Sequence, residues 1–315
     1  EIYFAQLESD GDLIGSQVRV TNDAASSNAP SLVWNGSEFG LAWHDARDGN
    51  DEIYFVRISA AGAVMGPPTR VTDSLGVSAY PSLVVNDDGY GLAWEDDRLG
   101  HMQVYFTRLD TEGDEIGDDL RITATVTASL AVSMAWTGSI YGLAWHDSRD
   151  GGSQEIYFAT LDSLGVQNLV DQRITNTATI SLLPNLVWDE SGFGLAWEDG
   201  RDGLLSIYFA QLSLAGVKAA PEFSLGGGSF SARSVELGMG ANGYEAVWSD
   251  SRTGASEIHY GEVSLAGVFN SSVALTDTGA GAFEPTMARA NAQTKVIWQD
   301  SRAGLEELFF QESAP

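Results

Sequence analysis

Six residues occupy one position in a repeated motif and differ in type: His44, Glu95, His146, Glu198, Ser249 and Gln299. Each stands immediately before the aspartate of a W-x-D-x-R-x-G unit. Histidine and carboxylate side chains gathered at one end of a fold can hold a metal or polarise a sugar hydroxyl. One reaction centre needs one set of roles, so a position that varies where its neighbours repeat is the natural place to look for function. The same variation also serves to tune contacts between neighbouring repeats, and that plainer reading is the stronger of the two.

The invariant part of the unit has a different character. The aspartates are Asp45, Asp96, Asp147, Asp199, Asp250 and Asp300, and the arginines Arg47, Arg98, Arg149, Arg201, Arg252 and Arg302. A planar guanidinium bridges carboxylates with paired hydrogen bonds and ties hairpin ends together. Six identical copies suit a structural device, and no catalytic residue is assigned among them. The glycines that follow are Gly49, Gly100, Gly151, Gly203, Gly254 and Gly304. His101 and His259 are isolated in hairpin positions and read as solvated or locally satisfied. The acidic turns at 9–12, 48–51 and 114–119 lack the D-x-[DN]-x-[DN]-G-x₅-E spacing of a calcium loop and read as solvated turns. Metal binding is left open: no cofactor is expected, calcium being the one ion the charge would favour.

These residues are positioned by a tandem repeat. Trp43, Trp94, Trp145, Trp197, Trp248 and Trp298 recur about every fifty-one residues. A repeat of this length, with short β-prone segments between turns, is the signature of propeller blades. Segment a is the P-S-L-V-W type at 30–34, segment b the F-G-L-A-W-H-D type at 39–45, segment c the E-I-Y-F type at 52–55, and segment d the V-R-V-T type at 18–21. Asn35-Gly36, Thr137-Gly138 and Asn242-Gly243 supply turn residues between a and b. Segments b and c are apolar on both faces, so both faces must be covered. A two-sheet sandwich leaves one face to water, whereas a propeller packs each sheet between two others. The sequence therefore predicts an all-β, six-bladed β-propeller of four-stranded antiparallel blades, with residues 1–315 forming one domain and all nine tryptophans in its core.

Segment c occurs seven times, at 1–4, 52–55, 103–106, 155–158, 206–209, 257–260 and 307–310, against six copies of the others. The ring is expected to close with strands from both termini, the last blade taking its d strand from 18–21 and its c strand from either 1–4 or 307–310. The c segment left over is an edge for self-association. If the chain is part of a longer protein, an upstream a–b pair would instead complete a seventh blade. The variable d–a loops, at 22–29, 73–80, 124–131, 176–183, 226–233 and 277–284, emerge with the b–c turns and form the expected ligand face.

Composition narrows the partners. With 16 cations against 44 carboxylates the formal charge is −28, and Lys218 and Lys295 are the only lysines. Such a surface repels nucleic acid and anionic lipid, and no apolar run is long enough to span a bilayer. Without cysteine there is neither disulfide nor thiolate metal site.

The W-x-D-x-R-x-G…E-I-Y-F repeat resembles the tandem repeats of secreted bacterial β-propeller proteins over essentially the whole chain, which implies an extracellular or cell-surface location. At fold level it is also similar to six-bladed sialidases and fucose-binding lectins. The sialidase Asp-box, S-x-D-x-G-x-T-W, is absent, and no arginine triad stands out from six equivalent arginines. The function expected from sequence is a non-enzymatic extracellular binding module, with a glycan or a protein held on the loop face. The alternatives are a sialidase-like, glycoside-acting propeller enzyme and a structural domain of a surface assembly.

Overall fold

The computed structural model describes residues 1–315 apart from 278, 280, 291–292, 303–306 and 313–315, and the side chain of residue 290. Gly304 and part of the 277–284 loop lie outside the described residues. The fold is an all-β, six-bladed propeller of antiparallel blades, with no helix among the described residues.

The first blade shows how sequence becomes sheet. Its strands run Ser27–Trp34, Glu38–Asp45, Glu52–Ser59 and Val64–Arg70, hydrogen-bonded in that order. The inner strand alternates between exposed and partly covered residues, while from Gly40 to Val56 almost every strand residue is buried. The outer strand is mostly exposed. This gradient from one doubly covered pair of strands to a wet edge is what segments apolar on both faces require. Gly49, at φ 105°, makes the turn into the third strand in a left-handed geometry that side chains resist.

The chain's contacts group into two compact units. The first comprises Glu1–Glu8, Asp12–Arg149 and Ala159–Val170. It holds the first blade, the second (Ser78–Asn86, Gly89–Asp96, Gln103–Asp110, Leu120–Arg121) and the hairpin Tyr3–Phe4/Val18–Arg19. Its blades are welded by aromatic rings on glycines. Tyr90 packs 5.0 Å from Phe55, Tyr141 packs 4.8 Å from Phe106, and a Cβ on Gly91 would lie 2.4 Å from Tyr141 Cε1. The second unit comprises Ser9–Gly11, Asp150–Phe158 and Asp171–Pro315. It repeats the device, with Tyr244 5.0 Å from Phe209 and against Gly194.

Of the two segments able to serve as the last blade's third strand, Glu307–Glu312 takes the place, beside Gln293–Asp300 and Ala282–Ala290. The N-terminal turn meets this blade as well: Lys295 Nζ donates to the Ser9 carbonyl at 3.0 Å, and Gly11 packs on Phe310. The contact is made by the turn at Ser9–Gly11 and not by a strand. Val18–Arg19, expected as this blade's fourth strand, instead pairs with Tyr3–Phe4, because the Thr21 hydroxyl and Arg19 find their glutamate partner in Glu1.

Two expectations about side chains are corrected. The six motif tryptophans are fully enclosed, but Trp34 is 47% exposed and Trp136 and Trp188 are half-buried. These three end the inner strand, where each packs on one aromatic neighbour (Phe39, Tyr141 and Phe193) and keeps part of its surface in solvent. His259, read as solvated or locally satisfied, is buried against Trp248, and neither ring nitrogen has a hydrogen-bond partner. It occupies the position filled by Tyr54, Tyr105 and Tyr208 in other blades.

Candidate functional site

The invariant Asp and Arg form one closed knot per blade. In the second blade Asp96 Oδ2 accepts from Trp94 Nε1 at 3.0 Å and Ser78 Oγ at 2.8 Å, while Asp96 Oδ1 accepts from the Arg98 backbone N–H at 2.9 Å and from its Nε at 2.7 Å. Burial opposes ionisation of Asp96, but these bonds outweigh it and hold the carboxyl below its usual range. The guanidinium then stacks over Tyr105 at 4.5 Å and reaches Asp119 at 2.6 Å. Asp45/Arg47, Asp199/Arg201 and Asp250/Arg252 repeat the arrangement, as do Asp147/Arg149 and Asp300/Arg302. The bonds of the knot reach across its own blade, from Ser78 on the first strand to Asp119 beside the fourth, which leaves little of it free for a ligand.

The variable position has another task. Each inner strand carries a bulge, and in each bulge one non-glycine residue is left-handed: Ala29, Tyr80, Ala131, Leu183, Ser234 and Glu284, with φ between 48° and 55°. That geometry is strained for an L-residue by about 1–3 kcal/mol. It turns a backbone N–H outward, and a variable side chain of the preceding blade captures it. Tyr80 N donates to His44 Nδ1 at 3.3 Å, Ala131 N to Glu95 Oε1 at 2.6 Å, and Ser234 N to Glu198 Oε1 at 2.7 Å. Ser249 Oγ instead donates to the Arg233 carbonyl of its own blade, and Gln299 Nε2 to Glu284 Oε2. His44, Glu95, His146, Glu198 and Ser249 are all buried.

Burial sets their charge states. It pushes the Glu95 carboxyl up to about 7 against the opposing pull of the Ala131 N–H, and raises Glu198 against Ser234 N–H and Arg233. It lowers His44 against Asp51 and Asp45, and lowers His146 to about 4. Among the described residues no three His, Asp or Glu side chains come together as a metal-holding group.

Sequence reasoning passed over one residue of interest. Inner-strand positions Ser31, Ser82, Ser133, Asn185, Glu236 and Thr286 are equivalent by register, and five of them are neutral. Ser31 Oγ, Ser82 Oγ and Asn185 Oδ1 each accept from a backbone N–H of the next inner strand at 3.1 Å. Glu236 breaks this series with a carboxylate. It is half-buried, accepts from Asn185 Nδ2 at 3.2 Å, and is pushed by burial up to about 7. Aligning the six inner strands would have exposed the substitution.

Glu198 and Glu236 are both associated with the inner strand Ala232–Met239. Glu198 is bonded to the N–H of Ser234, and Glu236 follows two residues later on the same strand, Ala232–Met239. Two residues of extended chain span at most about 7 Å. Two surface clefts, of about 220 Å³ beside Tyr244 and Glu262 and about 350 Å³ beside Trp136 and Arg108, lie at the opposite end of the inner strands, where the a–b turns are. Both clefts also carry carboxylates, Glu245 and Glu262 in the first and Asp87 and Asp88 in the second; Glu245 is engaged by Arg289 and Thr294, and Glu262 by the Tyr260 hydroxyl.

Such a scaffold belongs to the class of six-bladed propellers. No protein-family model matches the chain, and no curated protein is similar to it in sequence. Among solved structures it is similar to the GH93 α-L-arabinofuranosidase of Fusarium graminearum in complex with arabinobiose, at 12% identity over 91% of this chain and 92% of that one, with a TM-score of 0.59. A mutant Trypanosoma rangeli sialidase displaying trans-sialidase activity matches at 10% identity over 97% of this chain and 56% of that one, with a TM-score of 0.50. Prolyl endopeptidases match at 12% over 97% of this chain and 46% of that one, with a TM-score of 0.55. At these identities the likeness carries the fold alone. It nonetheless corrects the expectation of a non-enzymatic, lectin-like module: the propellers it resembles are enzymes, most of them glycoside hydrolases, and they favour the enzyme alternative.

Proposed function

We propose that this chain is a glycoside-acting propeller enzyme that uses Glu236 as general acid and Glu198 as the opposing carboxylate. The observation that carries the reading is that Glu198, through the Ser234 N–H, and Glu236 are tied to the same inner strand, each displaced upward in pKa by burial. Glycosidases need two carboxyls roughly 5–9.5 Å apart, one protonated and one ionised.

The roles follow from the environments. Glu236 keeps a proton near neutrality because burial disfavours its charge and its hydrogen-bond partner, the Asn185 amide, is neutral. Glu198 has the Ser234 N–H and the nearby Arg233 charge to hold it ionised. Glu236 would give its proton to the leaving oxygen as the glycosidic bond breaks, and Glu198 would either attack the anomeric carbon or take a proton from the attacking water. The acidic surface and the fold support action outside the cell on a neutral glycan, since an anionic polymer would be repelled.

The test is turnover of aryl glycosides, with α-L-arabinofuranosides and sialosides included, by the parent and by Glu236→Gln and Glu198→Gln. Loss of the acid should abolish turnover of poor leaving groups and spare good ones, and loss of Glu198 should abolish both. Parent activity should fall as pH rises through about 7, where Glu236 loses its proton. The reading fails if both folded variants turn over every substrate like the parent, or if the parent turns over none.

A further inference from the structure

Two departures from the inner-strand serine series fall in consecutive blades. Ser31, Ser82 and Ser133 are followed by Asn185 on Ser181–Trp188 and by Glu236 on Ala232–Met239. The serines tie one inner strand to the next: Ser31 Oγ and Ser82 Oγ accept from Leu83 N and Met134 N at 3.1 Å. Asparagine keeps this task with its carbonyl, since Asn185 Oδ1 accepts from Leu237 N at 3.1 Å. It also has a second arm, and Asn185 Nδ2 donates to Glu236 Oε2 at 3.2 Å.

The first bond decides what the second can be. A side-chain amide presents an acceptor on one side and a donor on the other. Turning it over would set its NH2 against the Leu237 N–H, two donors face to face, so the strand fixes which arm reaches Glu236. That arm only donates. Glu236 Oε2 must therefore offer a lone pair, and while the carboxyl is neutral its proton lies on Oε1. A serine would leave this undetermined, because a hydroxyl both donates and accepts.

We propose that Asn185 is a positioning residue for Glu236, holding the carboxyl by Oε2 so that its proton is presented on Oε1. The inference rests on the reading of Glu236 as general acid and adds the group that aims it. An acid that delivers its proton to one leaving oxygen gains from having one proton-bearing oxygen in one orientation. The same bond moderates acidity. Burial raises the Glu236 pKa, and the Asn185 amide, by favouring the charged form, holds the rise to about 7.

Asn185→Ser is the test, because serine at this position keeps an acceptor for the next strand's N–H, as Ser31 and Ser82 show. The Glu236 carboxyl is titrated by carbon NMR in the whole protein labelled at glutamate, its signal assigned by its loss in Glu236→Gln. The midpoint should rise by about one pKa unit in Asn185→Ser, and further in Asn185→Asp, which sets an acceptor against Oε2. On aryl glycosides with poor leaving groups, Asn185→Ser should lower kcat roughly tenfold with KM nearly unchanged, and good leaving groups should be spared. An unmoved midpoint in Asn185→Ser overturns the inference whether or not the parent turns over any glycoside. So does a moved midpoint with kcat unchanged on poor leaving groups. A moved midpoint in a protein without turnover supports the orienting bond and refutes the enzyme reading alone.

Discussion

His146 offers a stringent test of the core, because its charge state is tied to burial at the junction of strand end and bulge. The ring is buried, and its pKa is lowered from an ordinary 6.5 to about 4, with Asp147 opposing the shift. In the unfolded chain the imidazole takes up a proton as pH falls through 6.5, while the folded protein resists until about 4. Between these values the unfolded state binds more protons, so the contribution of His146 to stability is intact above pH 6.5 and is lost as pH falls. At about 1.36 kcal/mol per pKa unit, the loss by pH 4 comes to about 3 kcal/mol. The measurement is urea unfolding of the parent and of His146→Gln at pH 7.5 and pH 4. Carboxylate titrations are common to both proteins and cancel in the difference. The parent should lose about 3 kcal/mol more than the variant across this interval. A difference below about 1 kcal/mol would refute the reasoning, since it would mean that the ring accepts its proton without leaving the fold.

Two further outcomes are expected. Gly91→Ala places a methyl 2.4 Å from Tyr141 Cε1 inside the first unit, and overpacking of this kind costs roughly 1–3 kcal/mol, so its thermal midpoint should fall. An unchanged midpoint would show that the tyrosine–glycine contact does not join the blades. His259→Phe removes two unpartnered buried nitrogens and installs the ring that Phe309 supplies in the last blade, and it should stabilise by about 1 kcal/mol in urea unfolding. Destabilisation would show that the imidazole serves a purpose its surroundings do not reveal.

Much of the architecture was legible in the residues, because a propeller states its physics once per blade. The recurrence of tryptophan with Asp and Arg fixed the repeat, and the doubly apolar third segment, as in Ile53-Tyr54-Phe55-Val56, required sheets covered on both faces. The structural role of the Asp–Arg pair followed from its invariance, and the knot around Asp96 has that character. What sequence could not supply was direction. Nothing in the residue types says that Glu198 captures the N–H of Ser234 while Ser249 turns to its own blade, because that depends on a left-handed bulge in the following blade. Nor does an Asn–Glu pair fifty-one residues apart, Asn185 and Glu236, signal contact until neighbouring inner strands are laid side by side. The sequence by itself determined the repeat, its strands and its buried aromatics, since these rest on local pattern and on the burial that apolar segments demand. Only the tertiary structure decided which backbone N–H each variable residue captures and which histidine is stranded, because those depend on register between segments far apart in the chain.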